Sequence, residues 1–421
     1  MPSQSTKLPH AFKRLWASSV VSNLADGLLR TVVPIYAITL TESPILISLI
    51  SAMTLLPWLF FAVIIGTLAD RINRKKLLIF STLLRTFVVA AMAVAISAGV
   101  MTMPLLLALI FIAGACEVSI DTTAQSMIPE LLEKDQLERG NSRLYIAETV
   151  ISQFIGSPLS GFLYAAAIVL PFYSASGGYL LALGLLLLMP YQGSFQKRSV
   201  DQSRQEGRKE RGSEFFEELK FGVRYLFTHQ RLRQLVVITT ILGFLFSASH
   251  ATIALFMVKE LGLDPRYFGV VLAVQGVGGV AGGLLANRLS TRYTRGKTLG
   301  GAIMLTTVLI LITGFMPNIY FFTLTATLAG FASTIWNILL MSTYQVLIPN
   351  HLYGRIHGAR RTIVWGLMPI GAFLGGVIAT GGLRLPFIIC GLIGIIVAIR
   401  ALPFVVEVAN STISEEESET A

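Results

Sequence analysis

The sequence predicts an all-α integral membrane protein whose twelve membrane-spanning helices form two pseudo-symmetric bundles of six. Three observations lead to this prediction. Of the 421 residues, 54% are hydrophobic and only 13% are charged, whereas about a quarter of a typical soluble domain is charged. Apolar runs of about twenty residues, long enough to cross a bilayer, recur along the chain. The longest polar stretch divides these runs six and six.

The apolar runs follow one another with short polar breaks between them. They cover residues 15–40, 44–69, 77–99, 103–124, 143–167, 169–190, 234–257, 267–289, 298–316, 318–341, 360–380 and 383–405. The N-terminal segment has basic residues but no small-residue cleavage site. We therefore expect the first run to be retained as a span and not removed as a signal peptide.

Basic residues fall on alternate loops between the runs. One set of loops is rich in lysine and arginine, namely Lys7, Lys13, Arg14, Arg71, Arg74, Lys75, Lys76, Lys134, Arg139, Arg143, Arg288, Arg292, Arg295, Lys297, Arg355, Arg360 and Arg361. The opposite loops hold only Lys259, Arg266 and Arg384. The positive-inside rule therefore predicts a multi-pass protein of the cytoplasmic (inner) membrane with both termini in the cytoplasm. We read the net charge of +10 as an attraction to lipid headgroups and expect no nucleic acid partner.

The longest polar stretch also sets the domain boundaries. We expect an N-terminal six-helix bundle in 1–191 and a C-terminal six-helix bundle in 234–406. Between them, 192–233 is predicted to be a cytoplasmic linker that contains an amphipathic helix lying along the membrane surface. The acidic segment 407–421 is predicted to be a disordered tail.

Three pairs of short motifs recur in the same order in the two halves. They are "GTLADRINRKK" from Gly66 with "GGLLANRLSTRYTRGK" from Gly282, "SMIPELL" from Ser126 with "QVLIPNHL" from Gln345, and "IGSPLSG" from Ile155 with "LMPIGAFLGG" from Leu367. Internal repetition in a helical membrane protein is typical of a transporter built from two bundles, with its site at their interface.

Several of these motifs resemble the major facilitator superfamily. "GTLADRINRKK" is similar to the superfamily's loop motif between helices two and three. "DGLLR" in the first run, Arg85 in the third and "CEVSIDTTAQSMIPELLEKDQLERGNS" from Cys116 resemble the branch that includes macrolide exporters and the enterobactin exporter. Asn73 and Ser157 stand where the loop motif and the antiporter pattern of helix five have glycine. The resemblance implies the major facilitator fold and secondary transport.

Charged residues inside a span cost about 2.5 to 3.5 kcal/mol each on insertion scales and are usually functional. In the fold that the resemblance implies, helices one, four, seven and ten line a central cavity. We expect Asp26, Arg30 and Glu117 to form its charged floor, since a buried carboxylate beside an arginine can gain and lose a proton. Either Asp26 or Glu117 would carry the coupling proton. The alternative is a structural ion pair of Asp26 with Arg30, while Arg85 is read as extending to the inner interface.

The resemblance also implies a conformational latch that holds the outward-open arrangement. Its residues are expected to be Gly66, Asp70, Arg71 and Arg74 of the loop motif, with Asp121 at the inner end of the fourth run. The alternative is that the basic residues of the loop only set the topology.

The second half carries few charges inside its spans. Its candidate substrate-cavity residues are His250, Trp336, Asn337 and Gln275. The alternatives are that His250 is a packing partner among neighbouring hydroxyl side chains and that the aromatic residues only fill space.

These features predict a secondary active transporter that exports small amphipathic, drug-like compounds by proton antiport with alternating access. We expect a proton gradient as the energy source, no cofactor or metal, a small-molecule substrate and a monomer. A dedicated exporter of one metabolite, such as a siderophore, is the main alternative. A lysophospholipid flippase and an integral membrane enzyme are less favoured, because no HExxH or paired cysteine motif is present. The fragment Gly296-Lys297-Thr298 lacks the earlier glycine of a phosphate-binding loop, which argues against an ATP-driven pump.

Overall fold

The computed structural model describes residues 8–69, 72–133, 136–191, 211–349 and 352–420. In the first half, the helices are α1 (His10–Leu40), α2 (Pro44–Ala69), α3 (Arg74–Ser97), α4 (Met103–Leu131), α5 (Leu137–Tyr145), a π-helix (Ile146–Gly156), α6 (Ser157–Ala166) and α7 (Leu170–Leu187).

The second half continues with the same type of structure. Its helices are α8 (Arg211–Thr228), α9 (Gln230–His250), α10 (Ile253–Leu255), a π-helix (Phe256–Glu260), a 3-10 turn (Pro265–Tyr267), α11 (Phe268–Tyr293), α12 (Arg295–Thr313), α13 (Ile319–Leu347), α14 (Tyr353–Ala379) and α15 (Leu385–Thr420). The predicted all-α architecture is confirmed.

Within the described residues, ten helices are long and apolar enough to cross a membrane. The other two predicted spans are helical but are not among these ten. The first is α1, 31 residues long, which carries Asp26 and Arg30. The second is interrupted, since α5, the π-helix and α6 follow one another along a single predicted span. Intramembrane charge and irregular helix both occur in the first half of the chain.

Helix starts follow from local sequence. Asn73, which stands where the loop motif usually has glycine, precedes α3, and its Oδ1 accepts a hydrogen bond of 3.1 Å from the backbone N–H of Lys76. Asn318 caps α13 in the same way, accepting from the N–H groups of Tyr320 and Phe321. Asparagine is among the preferred N-cap residues because its side chain satisfies an otherwise unbonded backbone donor.

The chain divides into two compact units. The first unit comprises Met1–Glu42, Met53–Arg198 and Leu263–Ala273, and the second comprises Ser43–Ala52, Ser199–Gly262 and Val274–Ala421. The main division, at residue 198, falls within the predicted linker. The sequence did not predict that the start of α2 groups with the second unit and that the start of α11 groups with the first.

Each unit has its own apolar core. In the first unit, Ala25, Leu28, Val89 and Tyr179 pack together from α1, α3 and α7. In the second unit, a larger cluster contains fully buried Leu235, Tyr344 and Ile356 together with Leu226 of α8. The predicted amphipathic helix is therefore α8, and it packs on the core of the second unit through its last turn.

One domain prediction needs correction. The segment from residue 407 was expected to be a disordered tail, but α15 continues through it to Thr420. Glutamate, which dominates this segment, is a good helix former, and a helix already present upstream needs no new nucleation to extend. The side chains beyond Ser411 lie outside the description of the structure.

Candidate functional site

A buried arginine lies between two carboxylates in the first unit. Nη2 of Arg85, on α3, is 2.7 Å from Oδ1 of Asp26 on α1 and 2.8 Å from Oε2 of Glu117 on α4. Arg85 is 3% exposed. One guanidinium group therefore joins three helices, through a charge-assisted hydrogen bond to Glu117, the strong kind in a protein interior, and an ion pair with Asp26.

Tyr179 of α7 completes this arrangement. Its hydroxyl donates a hydrogen bond of 2.6 Å to Oδ1 of Asp26, and its ring lies 4.7 Å from the guanidinium carbon of Arg85. Tyr179 is fully buried. The ring face attracts the cation while the hydroxyl stabilises the anion, which offsets part of the cost of burying both charges. We call Asp26, Arg85, Glu117 and Tyr179 the arginine-centred cluster.

Small residues bring the supporting helices close enough for these contacts. One turn from the cluster, the hydroxyl groups of Ser81 on α3 and Ser119 on α4 are 2.7 Å apart. Gly27, next to Asp26, faces the π-helix so closely that a Cβ atom there would lie 2.2 Å from the carbonyl oxygen of Ser152. Only glycine fits at position 27, and this contact fixes the depth at which α1 presents Asp26.

Two further acids lie near the cluster. Asp121 is one turn from Glu117 on α4, and electrostatic interactions connect it with Glu117, Asp26, Glu148 and Arg85. Glu148 lies on the π-helix and is exposed. Three carboxylates, those of Asp26, Glu117 and Asp121, thus interact with one buried guanidinium, and Glu148 interacts with Asp121. Such a surplus of acid can bind a proton or a cation, because like charges at short range cannot all ionise cheaply.

The structure corrects the expected arginine of this site. Arg30 was expected to form the charged floor of the cavity with Asp26 and Glu117, but its side chain is exposed, and Arg85 acts more strongly than Arg30 on the Asp26 carboxylate. Arg85 occupies the central position, so the interpretation that it extends to the inner interface is wrong. The i, i+4 spacing placed Arg30 on the correct face of α1, but it could not show that α3 delivers an arginine between two helices.

Tyr179 and Glu148 were missed altogether. No sequence spacing connects Tyr179 with Asp26, which precedes it by 153 residues. The available signal was chemical: two carboxylates inside predicted spans need hydrogen-bond donors, and tyrosine hydroxyl groups at the matching depth are few. Glu148 lies near the start of the predicted span 143–167 and was not singled out there.

Arg74 of the expected latch contacts the end of α4. Nη1 of Arg74 donates hydrogen bonds of 2.8 Å to the carbonyl oxygen of Ser126 and to Oε1 of Glu130. Asp121, the expected partner, lies nine residues before Glu130 on α4 and belongs to the surroundings of the arginine-centred cluster. Glu130 lies beyond the predicted fourth run, 103–124, and was not selected from the sequence.

The remaining latch residues are only partly described. Asp70 and Arg71 lie outside the described residues, and Gly66 lies in the helical part of α2. The role of all these residues in holding one conformation stays a prediction.

Three more hydrogen bonds join the start of α3 and the end of α4 to the chain at the end of α7. The ammonium group of Lys75 donates to the carbonyl oxygens of Leu187 and Met189. The hydroxyl of Tyr191 donates to Oε2 of Glu130. Burial, together with this hydrogen bond, raises the pKa of Tyr191 to about 12, so the hydroxyl remains a donor at physiological pH.

The candidate residues of the second unit are placed as follows. His250 ends α9; its ring is stacked on Phe246 at 4.0 Å, and Nδ1 lies 3.1 Å from the carbonyl oxygen of Phe246. These contacts match the packing alternative.

Trp336 is half-buried against the core, whereas Asn337 is exposed and donates to Ser333 one turn earlier. Gln275 is half-buried, and its Nε2 has no hydrogen-bond partner within the described residues.

Comparison with known proteins gives the chain a family and a fold. Residues 6–419 match the family described as "Transmembrane secretion effector". The chain is 21% identical over 397 residues to macrolide efflux protein A of Streptococcus pyogenes, covering 92% of this chain and 94% of that protein. It is 23% identical over 376 residues to the multidrug efflux pump Tap of Mycolicibacterium fortuitum, covering 83% and 86% respectively.

Solved structures agree on the fold. A bacterial homologue of the iron transporter ferroportin, in its inward-facing state, superposes with a TM-score of 0.74 at 14% identity and covers 93% of this chain and 98% of that one. The nucleoside transporter NupG superposes with a TM-score of 0.69 at 12% identity, covering 94% and 99%. At such low identity these likenesses show the fold alone, and they confirm the major facilitator fold expected from the motifs.

Proposed function

Because the chain belongs to the transmembrane secretion effector family of major facilitator superfamily transporters, and not to an enzyme family, we propose that it exports small amphipathic organic compounds in exchange for protons. The macrolide and multidrug efflux proteins among its relatives support export and this substrate class. The proposal of proton exchange depends on the arginine-centred cluster.

The charge balance of the cluster is the observation that supports proton exchange. Arg85 contacts both Asp26 and Glu117, so one positive charge faces two carboxylates. A buried charge left uncompensated costs several kcal/mol, which favours binding of a proton or of a cationic group when both acids would otherwise be ionised. A proton that crosses a membrane at 100 mV contributes about 2.3 kcal/mol, enough to couple its movement to export.

Exposure distinguishes the two acids. The side chain of Glu117 is 25% exposed, that of Asp26 13% and that of Arg85 4%. Asp26 is also held by the Tyr179 hydroxyl. Glu117 is therefore the acid that a substrate or a proton can reach, while Asp26 holds Arg85 in place. We assign the proton exchange to Glu117, with a cationic substrate competing for the same carboxylate as the protein alternates its access.

Placement in the cell is part of the same proposal. The clustering of lysine and arginine on alternate loops supports insertion into the cytoplasmic membrane with both termini inside. Transport by a monomer agrees with two units being formed by one chain.

The test is accumulation of ethidium, a cationic dye, in inverted membrane vesicles after a pH gradient is imposed. We expect Glu117→Gln to lower gradient-driven accumulation at least tenfold and Asp26→Asn to lower it through loss of order in the cluster. Glu133→Gln is the matched control, since it removes an exposed carboxylate just beyond the same helix.

Unchanged accumulation in Glu117→Gln and Asp26→Asn would reduce the cluster to a structural ion pair and would indicate another coupling ion. Failure of ethidium to accumulate, combined with export of an anionic compound, would favour the dedicated metabolite exporter. In that case the exposed Arg30 is the group expected to contact the anion.

A further inference from the structure

A second buried arginine lies in the other unit without a carboxylate partner. Arg360 of α14 is 8% exposed, and its guanidinium carbon lies 4.7 Å from the ring centre of Tyr344 on α13. Its polar contacts are with neutral groups, namely a weak one from Nη2 to the thioether sulfur of Met341 at 3.7 Å and a side-chain hydrogen bond with Tyr344. Within the part of the chain that the structure describes, Nε has no acceptor and no carboxylate forms an ion pair with this side chain.

The positive charge of Arg360 is buried and is not neutralised by these contacts. Arginine remains protonated in proteins, so Arg360 cannot lower its burial cost by losing its proton. A thioether sulfur is a poor acceptor, and a tyrosine ring compensates only part of a full charge. An uncompensated buried charge costs several kcal/mol. The missing component is an anion supplied from outside the described chain.

The neighbouring groups add donors and positive charge, not acids. The Tyr344 hydroxyl is fully buried and lies 3.5 Å from Oγ1 of Thr239 on α9. Arg361 is the next residue along α14, and His357, one turn before Arg360, lies within reach of the positive charges of both arginines. An oxyanion with several acceptor atoms is the chemical class that matches a forked guanidinium and a hydroxyl.

The depth of the site suggests where such an anion comes from. Arg360 is the fifth residue of the span Ile356–Ala379, which places it about 6 Å from the end of the span at 1.5 Å per residue. Trp365, one turn further along, is 39% exposed, and tryptophan is enriched at the headgroup level of membranes. Phosphate groups of anionic lipids lie at this depth.

We propose that Arg360 and the Tyr344 hydroxyl bind a phosphate-type oxyanion at the end of the second unit where α14 begins. The anion is either the headgroup phosphate of an anionic lipid or a free phosphate. The site does not depend on which compound the protein exports or on proton exchange at Glu117. It serves as a structural or regulatory anion site of the second unit.

The experiment uses the full-length protein purified in a neutral detergent, with thermal unfolding followed by intrinsic tryptophan fluorescence. One arm adds inorganic phosphate at constant ionic strength against chloride. The other adds short-chain phosphatidylglycerol against the matching phosphatidylcholine. Arg360→Gln is compared with Arg361→Gln, which removes the same charge one residue away, where the guanidinium is stacked on Trp365 at 4.1 Å.

The wild type and Arg361→Gln should be stabilised by the anion with similar midpoints. Arg360→Gln should need about tenfold more anion or more, the effect of losing charge-assisted hydrogen bonds. Arg360→Lys should recover part of this loss. Without added anion, Arg360→Gln should be at least as stable as the wild type, because the uncompensated charge is gone.

The two additions distinguish the two sources of the anion. Stabilisation by phosphate identifies a free anion as sufficient, and stabilisation by phosphatidylglycerol alone identifies the lipid as the source. The proposal is overturned if neither probe stabilises the wild type, if Arg360→Gln responds as the wild type does, or if Arg361→Gln loses the response equally. A lower stability of anion-free Arg360→Gln would show that the arginine is already compensated within the chain.

Discussion

Each of the two units buries an arginine against a tyrosine ring, but the two arginines have different neighbouring charges. In the first, Arg85 lies over the ring of Tyr179 at 4.7 Å, and in the second, Arg360 lies over the ring of Tyr344 at the same distance. Both tyrosines are fully buried, and Nε of both arginines lacks an acceptor within the described residues. The first pair has two carboxylates and the second has none.

This difference is not explained by the internal repeat. Arg85 and Tyr179 lie on the third and sixth spans of the first half, whereas Tyr344 and Arg360 lie on the fourth and fifth spans of the second. The two pairs are therefore independent solutions to burying a guanidinium group. The comparison teaches that the arginine–tyrosine pair is common to both sites, and that the carboxylates around it distinguish them.

Replacement of each arginine should give the largest difference in stability between the two sites. Arg85→Gln leaves Asp26 and Glu117 facing each other without a cation, and we expect a loss of about 3 to 5 kcal/mol in the free energy of unfolding. Arg360→Gln should cause no loss. Unfolding of both variants in the same detergent measures this, and an equal loss in the two would show that the counter-charges are irrelevant.

Removal of the two hydroxyl groups is a finer test. Tyr179→Phe deletes a hydrogen bond to a charged acceptor, which should cost about 1.5 to 3 kcal/mol. Tyr344→Phe deletes a hydroxyl that lies 3.5 Å from Thr239 and interacts with Arg360, and it should cost less than Tyr179→Phe, about 1 kcal/mol, because the hydroxyl has no carboxylate acceptor among the described residues. Thermal unfolding of the matched pair checks the order, and a larger cost at Tyr344 would contradict it.

Much of this molecule could be predicted from the sequence. Bilayer thickness sets the length of each span, and the distribution of lysine and arginine marks the loops between the spans. Asp26, Glu117 and Arg85 were identifiable as rare charges in apolar runs. Their pairing was not, since periodicity describes one helix at a time and Arg85 acts between two others. The interruption of the fifth span by a π-helix also left no signal in hydropathy, because the interrupted segment is as apolar as a regular helix.

The ion pair at the inner end of α3 should show a smaller effect. Arg74 and Glu130 have side chains that are 20% and 41% exposed, so solvent screens their attraction. A double-mutant cycle with Arg74→Gln and Glu130→Gln should give a coupling energy of about 1 kcal/mol or less in unfolding. A coupling as large as the cost of Arg85→Gln would mean that this exposed pair, and not the buried cluster, holds the first unit together.

The smallest expected effect is a loss of stability at alkaline pH that comes from Tyr191. The pKa of Tyr191 is raised to about 12 by burial and by its hydrogen bond to Glu130, against about 10 in an unfolded chain. Its contribution to stability is therefore complete below about pH 10 and is lost as the pH rises towards 12, because the unfolded state loses its proton first. Comparison of wild type with Tyr191→Phe across this range should show the alkaline loss only in the wild type.

The contacts of Asp26 also have a consequence for how the chain is made. Its arginine lies on α3 and its tyrosine, 153 residues later, on α7. At about 5 to 20 residues per second, a ribosome needs about 8 to 30 s to synthesise that interval. During this time the acid of α1 has left the ribosome without its hydroxyl donor, and Arg30, one turn away, is the nearest cation on the same helix. An arginine that is peripheral in the finished transporter is therefore well placed to accompany Asp26 into the bilayer until the sixth span arrives.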